Sequence, residues 1–203
     1  MSETNKYMMV GERLCLDFIN TISWRESEDK RRDWFTSYDK LVDWSLHAGI
    51  VEEKQAHLLL KKSVLNPSES EQTLRQAIQL REAIYRIFCS FTKKELINPE
   101  DLTNFNKVMR HYYQLMQLVP MENDYSLQFD ISEGAFDSML PPIVQSAVDI
   151  LTSEQDLGRV KHCEGDPCGW LFFDTSRNRS RRWCSMADCG NRAKARRFYQ
   201  NKK

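Results

Sequence analysis

Four of the six cysteines fall in one short stretch, at 163, 168, 184 and 189, while Cys15 and Cys89 stand alone. Their spacing is C-x4-C, fifteen residues, C-x4-C. Two cysteine pairs joined by a linker of about 15 residues approximate the four-thiolate zinc pattern, with an inner gap of four residues where two is commoner. Paired disulfides are the weaker use for thiols in a reducing compartment. Cys163, Cys168, Cys184 and Cys189 are therefore the expected metal ligands. With four protein ligands a tetrahedral Zn2+ keeps no open position for water, so the expected cofactor is a structural zinc, not a catalytic one. His162 adjoins Cys163 and is an alternative ligand. One Zn2+ on four thiolates carries a charge of about −2, and Arg181, Arg182 and Arg192 lie close enough in sequence to offset it.

The charge pattern singles out the same segment. The formal net charge of zero over 203 residues conceals two halves of opposite sign. Residues 1–157 carry 17 Lys+Arg against 25 Asp+Glu, whereas 158–203 carry 12 against 4. Forty-six residues with a net charge of +8 predict a polyanionic partner, because summed cationic charge attracts phosphates across a Debye length. A zinc site lowers that charge only to about +6. Arg177, Arg179, Arg181, Arg182, Arg192, Lys194, Arg196 and Arg197 are the candidate phosphate contacts, and some of them must instead balance the thiolates.

The elements needed to position these groups are short. RVKHC and GWLFFD are β-prone runs with GDPCG supplying a turn between them, which predicts a hairpin carrying the first two ligands at its tip. DTSRNRSRRW loops to Cys184, and CGNRAKARRFYQ has helical composition. In that helix Asn191, Ala195 and Phe198 share one face, expected to pack inward and leave the cations outside. Trp170, Trp183, Phe172 and Phe173 could stack on bases, but in a module this small they are expected to form its core. The string C-x4-C-G-W-L-F-F-D-x-S-x-N-x-x-R-R-W-C-x4-C-G-N-R-A-K-A-R-R-F-Y resembles the CGNR zinc finger, whose name is spelled by Cys189, Gly190, Asn191 and Arg192. The resemblance implies a treble-clef-like fold, the four cysteines as metal ligands, and a DNA-binding module at the C-terminus of a bacterial transcription regulator.

Residues 1–157 read as a mainly helical domain with a small β element, so the fold class expected for the chain is α+β with α predominant. Helices are expected over Arg13–Ser23, over Tyr38–Ala48 behind Ser37 as N-cap and ahead of Gly49 as C-cap, and over Glu52–Leu65. A long helix follows Pro67, with Ser68 and Glu71 as a capping box, and runs to about Lys94. Asn98 and Pro99 open another that extends to about Val119. YSLQFD alternates like a strand, and a last helix is expected over roughly Phe136–Glu154, with Pro141 and Pro142 suiting its first turn and so allowing a start near Pro141.

Within LCLDFINTIS the polar residues before Ser23 are Asp17, Asn20 and Thr21, which helical spacing would place on one face. One reading has this stripe in water or bonded to a neighbouring loop. The other buries the helix, so that Asp17 and Asn20 line a cavity for a polar ligand with Arg81 opposite. GERLCLDFINT, YDKLVDWSLHAGIV and LREAIYRIF resemble the ABATE domain, which accompanies the CGNR finger in stress-response regulators. That resemblance implies a sensor-like domain joined to a nucleic-acid reader and does not say what is sensed; a small-molecule effector is the partner expected if Asp17, Asn20 and Arg81 do line a cavity.

An enzyme is not expected. There is no G-x-S-x-G, P-loop, G-x-G-x-x-G or H-E-x-x-H, and the four histidines are scattered. No apolar run approaches the roughly 20 residues of a membrane span, and the N-terminus lacks a secretory pattern. These features predict a cytoplasmic regulator made of an ABATE-like domain over 1–157 and a finger over 158–203, with DNA as partner. The alternative is a zinc module that binds RNA or an acidic protein surface.

Overall fold

The apolar stretch LCLDFI becomes a short, buried helix around which the rest of the chain is arranged. The computed structural model describes residues 7–200. The element order is α1 (Leu14–Ile19), β1 (Ile22–Ser23), β2 (Arg32–Asp33), α2 (Tyr38–His47), α3 (Glu53–Leu65), α4 (Pro67–Lys93), α5 (Pro99–Tyr113), β3 (Met116–Pro120), β4 (Tyr125–Phe129), α6 (Leu140–Leu151), α7 (Glu154–Leu157), β5 (Val160–His162), β6 (Leu171–Phe173) and α8 (Asn191–Gln200). A wide single turn, Met186–Gly190, leads into α8. The architecture is thus mainly helical with small β elements, and α1 packs against α4, α6 and β6. Its residues Cys15 through Ile19 are all buried, as expected of a helix that is apolar nearly all round. No helix among the described residues is long and apolar enough to cross a membrane.

Helix α4 is the longest element at 27 residues, about 40 Å at 1.5 Å per residue. Thr73, Ala77, Leu80, Ile84 and Ile87 recur at three- and four-residue steps along its buried stripe. Arg81 lies in that stripe too, 1% exposed. It is tolerated there because Asp33 takes both of its terminal nitrogens, at 2.7 and 2.6 Å, and Thr21 Oγ1 and Glu82 Oε1 accept two further bonds.

The observed boundaries depart from the sequence reading where a competing contact takes over. Helix α1 stops at Ile19, and the residues after it form a two-residue ribbon with Arg32–Asp33, in the register Ile22 to Asp33. Ser37 sits at the N-cap of α2, but its hydroxyl makes no capping bond. Gly49, at φ +71°, follows α2 as anticipated and donates to the Leu46 carbonyl. Helix α4 begins at Pro67 itself with Asn66 as its cap, so Ser68 lies inside the first turn instead of capping it. Asn98 caps α5 by accepting from the Glu100 N–H at 2.9 Å. That helix ends at Tyr113, six residues earlier than expected, because Met116–Pro120 pairs with the anticipated strand Tyr125–Phe129.

Candidate metal centre and its cationic surface

Strand β5 pairs antiparallel with β6, and the chain between them forms the tip on which the first two cysteines sit. The Cys163 N–H donates to the Trp170 carbonyl at 2.8 Å, extending the ladder by one rung. The loop after β6 brings Cys184 back, and the Met186–Gly190 turn delivers Cys189 at the start of α8. All four cysteines are buried, and their sulfurs lie within 4.8 Å of one another. The Cys168 to Cys184 and Cys184 to Cys189 sulfur separations are 3.7 and 3.6 Å. A tetrahedral zinc with Zn–S bonds of about 2.3 Å requires sulfurs about 3.8 Å apart, so donor set and spacing suit a structural zinc. The backbone N–H groups of Gly165 and Cys184 point at Cys163 Sγ, at 3.4 and 3.3 Å. Such N–H donors favour the charged form of a sulfur, the form in which cysteine binds zinc. The loop can close this tightly only because residue 165 is glycine: a Cβ there would lie 2.6 Å from Cys189 Cβ. His162 is 3.3 Å from Glu26 and outside the sulfur cluster.

Beta-strand alternation makes β6 the seam between two cores. Leu171 and Phe173 pack with the helical core, as does Val160 of β5, while Trp170 and Phe172 pack with the cysteines. This two-sided burial is why WLFF is apolar throughout: Trp170 and Phe172 form the finger's core as expected, with Trp183 partly buried against it, whereas Phe173 joins the helical core. The free edge of β6 is also occupied. Phe173 N–H donates to the Gly11 carbonyl at 2.9 Å. The Asn20 carboxamide donates to the Leu171 carbonyl at 2.8 Å and accepts from its N–H at 3.1 Å. The tip is held from the helical side as well. Arg25 N–H donates to the Cys168 carbonyl, Tyr85 Oη to the Gly169 carbonyl, and Trp170 Nε1 to the Ile22 carbonyl. Arg25 is itself fixed by both oxygens of Glu82, at 2.9 and 3.1 Å. Sequence reasoning missed Arg25, Glu82 and Tyr85, because nothing local distinguishes them from other helix and loop residues.

The eight cations proposed as phosphate contacts divide into two groups. Arg181 is turned inward: it donates to the carbonyls of Val10, Trp183 and Cys184, pairs with Glu12 at 3.2 Å and lies over the Phe172 ring. Arg192 approaches Cys189 Sγ at 3.0 Å and stacks 4.2 Å from the Trp24 centroid, compensating a thiolate as anticipated. Arg182 pairs with Glu164, and Arg196 with Asp166 at 2.9 Å, both on the surface. Among the described residues, Arg177, Arg179, Lys194 and Arg197 have no carboxylate within ion-pair distance. The inward side of α8 also differs from expectation. Ala193 is its one half-buried residue, and Phe198 is 57% exposed, because Arg192 and Arg196 span to the cluster and to the Asp166 loop.

The three residues proposed for a polar ligand do not meet at one place. Asp17 and Asn20 line a cavity of about 120 Å³ with Tyr7, Trp34, Trp44 and Trp170, but Arg81 faces Asp33 instead. Both polar atoms of Asn20 are already committed to β6. Asp17 accepts from the Gly11 N–H at 2.7 Å. Burial pushes its carboxyl up from 3.8 to about 7, with the charge of Glu12 adding to the effect and the N–H groups of Gly11 and Val10 opposing it. A carboxyl raised on folding binds its proton more tightly in the native state, so its contribution to stability is full below about pH 4 and is lost as pH rises through about 7. Asp17→Asn keeps the acceptor for Gly11 and removes this dependence. Thermal melts should show the variant gaining on the wild type by about 2 kcal/mol between pH 5.5 and 8, the upper part of a total of about 4 kcal/mol that begins near pH 4. A constant difference across that range would contradict the assignment.

Comparison with known proteins agrees with this geometry. A profile of the CGNR zinc finger matches residues 159–202, which contain all four cysteines. The ABATE profile, described as a putative stress-induced transcription regulator, matches residues 12–154. No curated protein matches the chain. Since the ABATE match alone covers more than two thirds of the residues, and the sulfur cluster falls within the finger match, the chain belongs to the ABATE family and carries a CGNR zinc finger behind that domain.

Proposed function

We propose that the chain is a DNA-binding transcription regulator in which the zinc finger holds a cationic surface rigidly against the helical domain. The observation that carries this reading is the division among the cations: after the metal site and the seam have used Arg181 and Arg192, the finger still presents Arg177, Arg179, Lys194 and Arg197, which have no carboxylate partner among the described residues. A surplus of this kind serves neither the metal nor the fold, and phosphate is its natural counterpart. Arg182 and Arg196 can join if phosphate displaces Glu164 and Asp166, exchanges between exposed charges that cost little.

Fluorescence anisotropy on matched DNA and RNA duplexes at several salt concentrations tests the reading. Four phosphate contacts predict a log–log salt slope of about −3.6 on DNA. Replacing Lys194 and Arg197 together by glutamine should flatten it by about 1.8, a loss of roughly 60-fold at 0.1 M salt, with zinc content unchanged. Stronger binding to RNA would favour the alternative nucleic acid. Binding to neither would leave an acidic protein surface as the partner.

A further inference from the structure

The last turn of α4 faces the finger across a groove of about 630 Å³. From the helix it is lined by Phe91, Thr92 and Lys94, and from the finger by Lys161, Arg179, Arg181 and Arg182, with Glu164 as its acid. Two of these cations are used within the fold. Lys161 bonds the Asp174 carboxylate and the carbonyls of Arg179 and Arg181, and Arg181 is turned inward as described. Lys94 and Arg179 are exposed and have no carboxylate within ion-pair distance among the described residues. A helix C-terminus carries about half a negative charge, and the exposed Lys93 and Lys94 reverse the sign of this one.

The groove has a neighbour on the finger. A second hollow of about 180 Å³, lined by Asp166, Arg192, Arg196 and Arg197 beneath α8, shares Glu164 with it. Glu164 thus lines both hollows, the first with the uncommitted Lys94 and Arg179 and the second with Arg197, and the surface pairs Arg182–Glu164 and Arg196–Asp166 belong to them. We infer that the two hollows join at Glu164 into one trough, the bed of a phosphodiester backbone, and that the helical domain itself touches nucleic acid through Lys94, while Glu164 stands between them as a competing anion. The inference rests on the DNA-binding reading above and extends it from the finger to the domain beside it.

Lys94→Asn is the direct test, because Lys94 ends α4 in the left-handed conformation, at φ +58°, that asparagine tolerates well. Duplex DNA binding by this variant should show a salt slope flatter by about 0.9 and about eightfold weaker affinity at 0.1 M salt. Glu164→Gln should bind several-fold more tightly than wild type, since it removes a like charge from the path and frees Arg182. Zinc content and melting temperature report that each variant is folded. Arg197→Gln serves as the finger control. If it loses slope while Lys94→Asn and Glu164→Gln both bind as wild type does, the trough is overturned and the finger reading stands. If the wild type itself fails to bind duplex DNA, both fall.

Discussion

A Cys184→Ser protein should purify without stoichiometric zinc and melt more than about 15 °C below the wild type. Cys184 is the pivot of the cluster, 3.7 Å from one sulfur and 3.6 Å from another, and its own N–H supports Cys163 Sγ. A serine hydroxyl stays protonated at neutral pH and is a poor zinc ligand. The binding free energy of a structural zinc, on the order of 10 kcal/mol in zinc-finger peptides, is comparable with the whole stability of an ordinary domain. If the finger were a tethered bead, that loss would be local. Here Val160, Leu171 and Phe173 are interior residues of the helical core, each contributing about 1.5–3 kcal/mol by burial, so a finger that opens takes part of that core with it. A loss of 5 kcal/mol or more from the cooperative unit corresponds to the stated shift at about 2–4 °C per kcal/mol. The wild type should likewise melt at a temperature that rises with free zinc. A zinc-free variant with a wild-type melting curve would show that the seam does not couple the two parts.

That coupling also marks how far the sequence could be read. The metal site was legible because its ligands and turn residues are near neighbours: C-x4-C twice, with GDPCG between two β-prone runs, specifies a hairpin tip and a return. The apolar run WLFF announced burial, but alternation alone could not say that one side of β6 would face the cysteines and the other α1. Asp17, Asn20 and Thr21 were visible as polar residues in an apolar stretch, and all three are buried. Of the two readings of that stripe, bonding to neighbouring segments is the one the hydrogen bonds follow: Asp17 accepts from Gly11, and because α1 ends at Ile19, Asn20 and Thr21 leave the helical face and meet β6 and Arg81. The roles of the arginines were the least legible. Arg182 finds its carboxylate 18 residues upstream at Glu164 and Arg196 finds its own 30 residues upstream at Asp166. Arg181 reaches Glu12 and Val10, some 170 residues away. No local pattern encodes such partners, so eight equivalent-looking cations became a mixture of braces and free charges only in the fold.

Asn20 is where the fold turns a side chain into a piece of sheet, and its replacement gives the second large effect. Its carboxamide presents one donor and one acceptor to the carbonyl and N–H of Leu171, the pairing that a neighbouring strand would offer. Gly11 continues it two residues on by accepting from Phe173. Asn20 is 3% exposed and Leu171 is fully buried, so water cannot replace the carboxamide. Asn20→Ala leaves a buried N–H and a buried C=O unpaired, at about 1–3 kcal/mol each. The expected cost is about 2–5 kcal/mol, a fall in melting temperature of roughly 5–15 °C. Asn20→Asp should be worse at neutral pH, because a buried carboxylate can accept from the N–H but faces the carbonyl with a second oxygen. Calorimetry on the zinc-loaded proteins separates this brace from a ligand contact. A brace predicts the ordering wild type, Ala, Asp in decreasing stability with no added compound present, whereas a residue reserved for a ligand would leave the unliganded melting temperature of Asn20→Ala at the wild-type value.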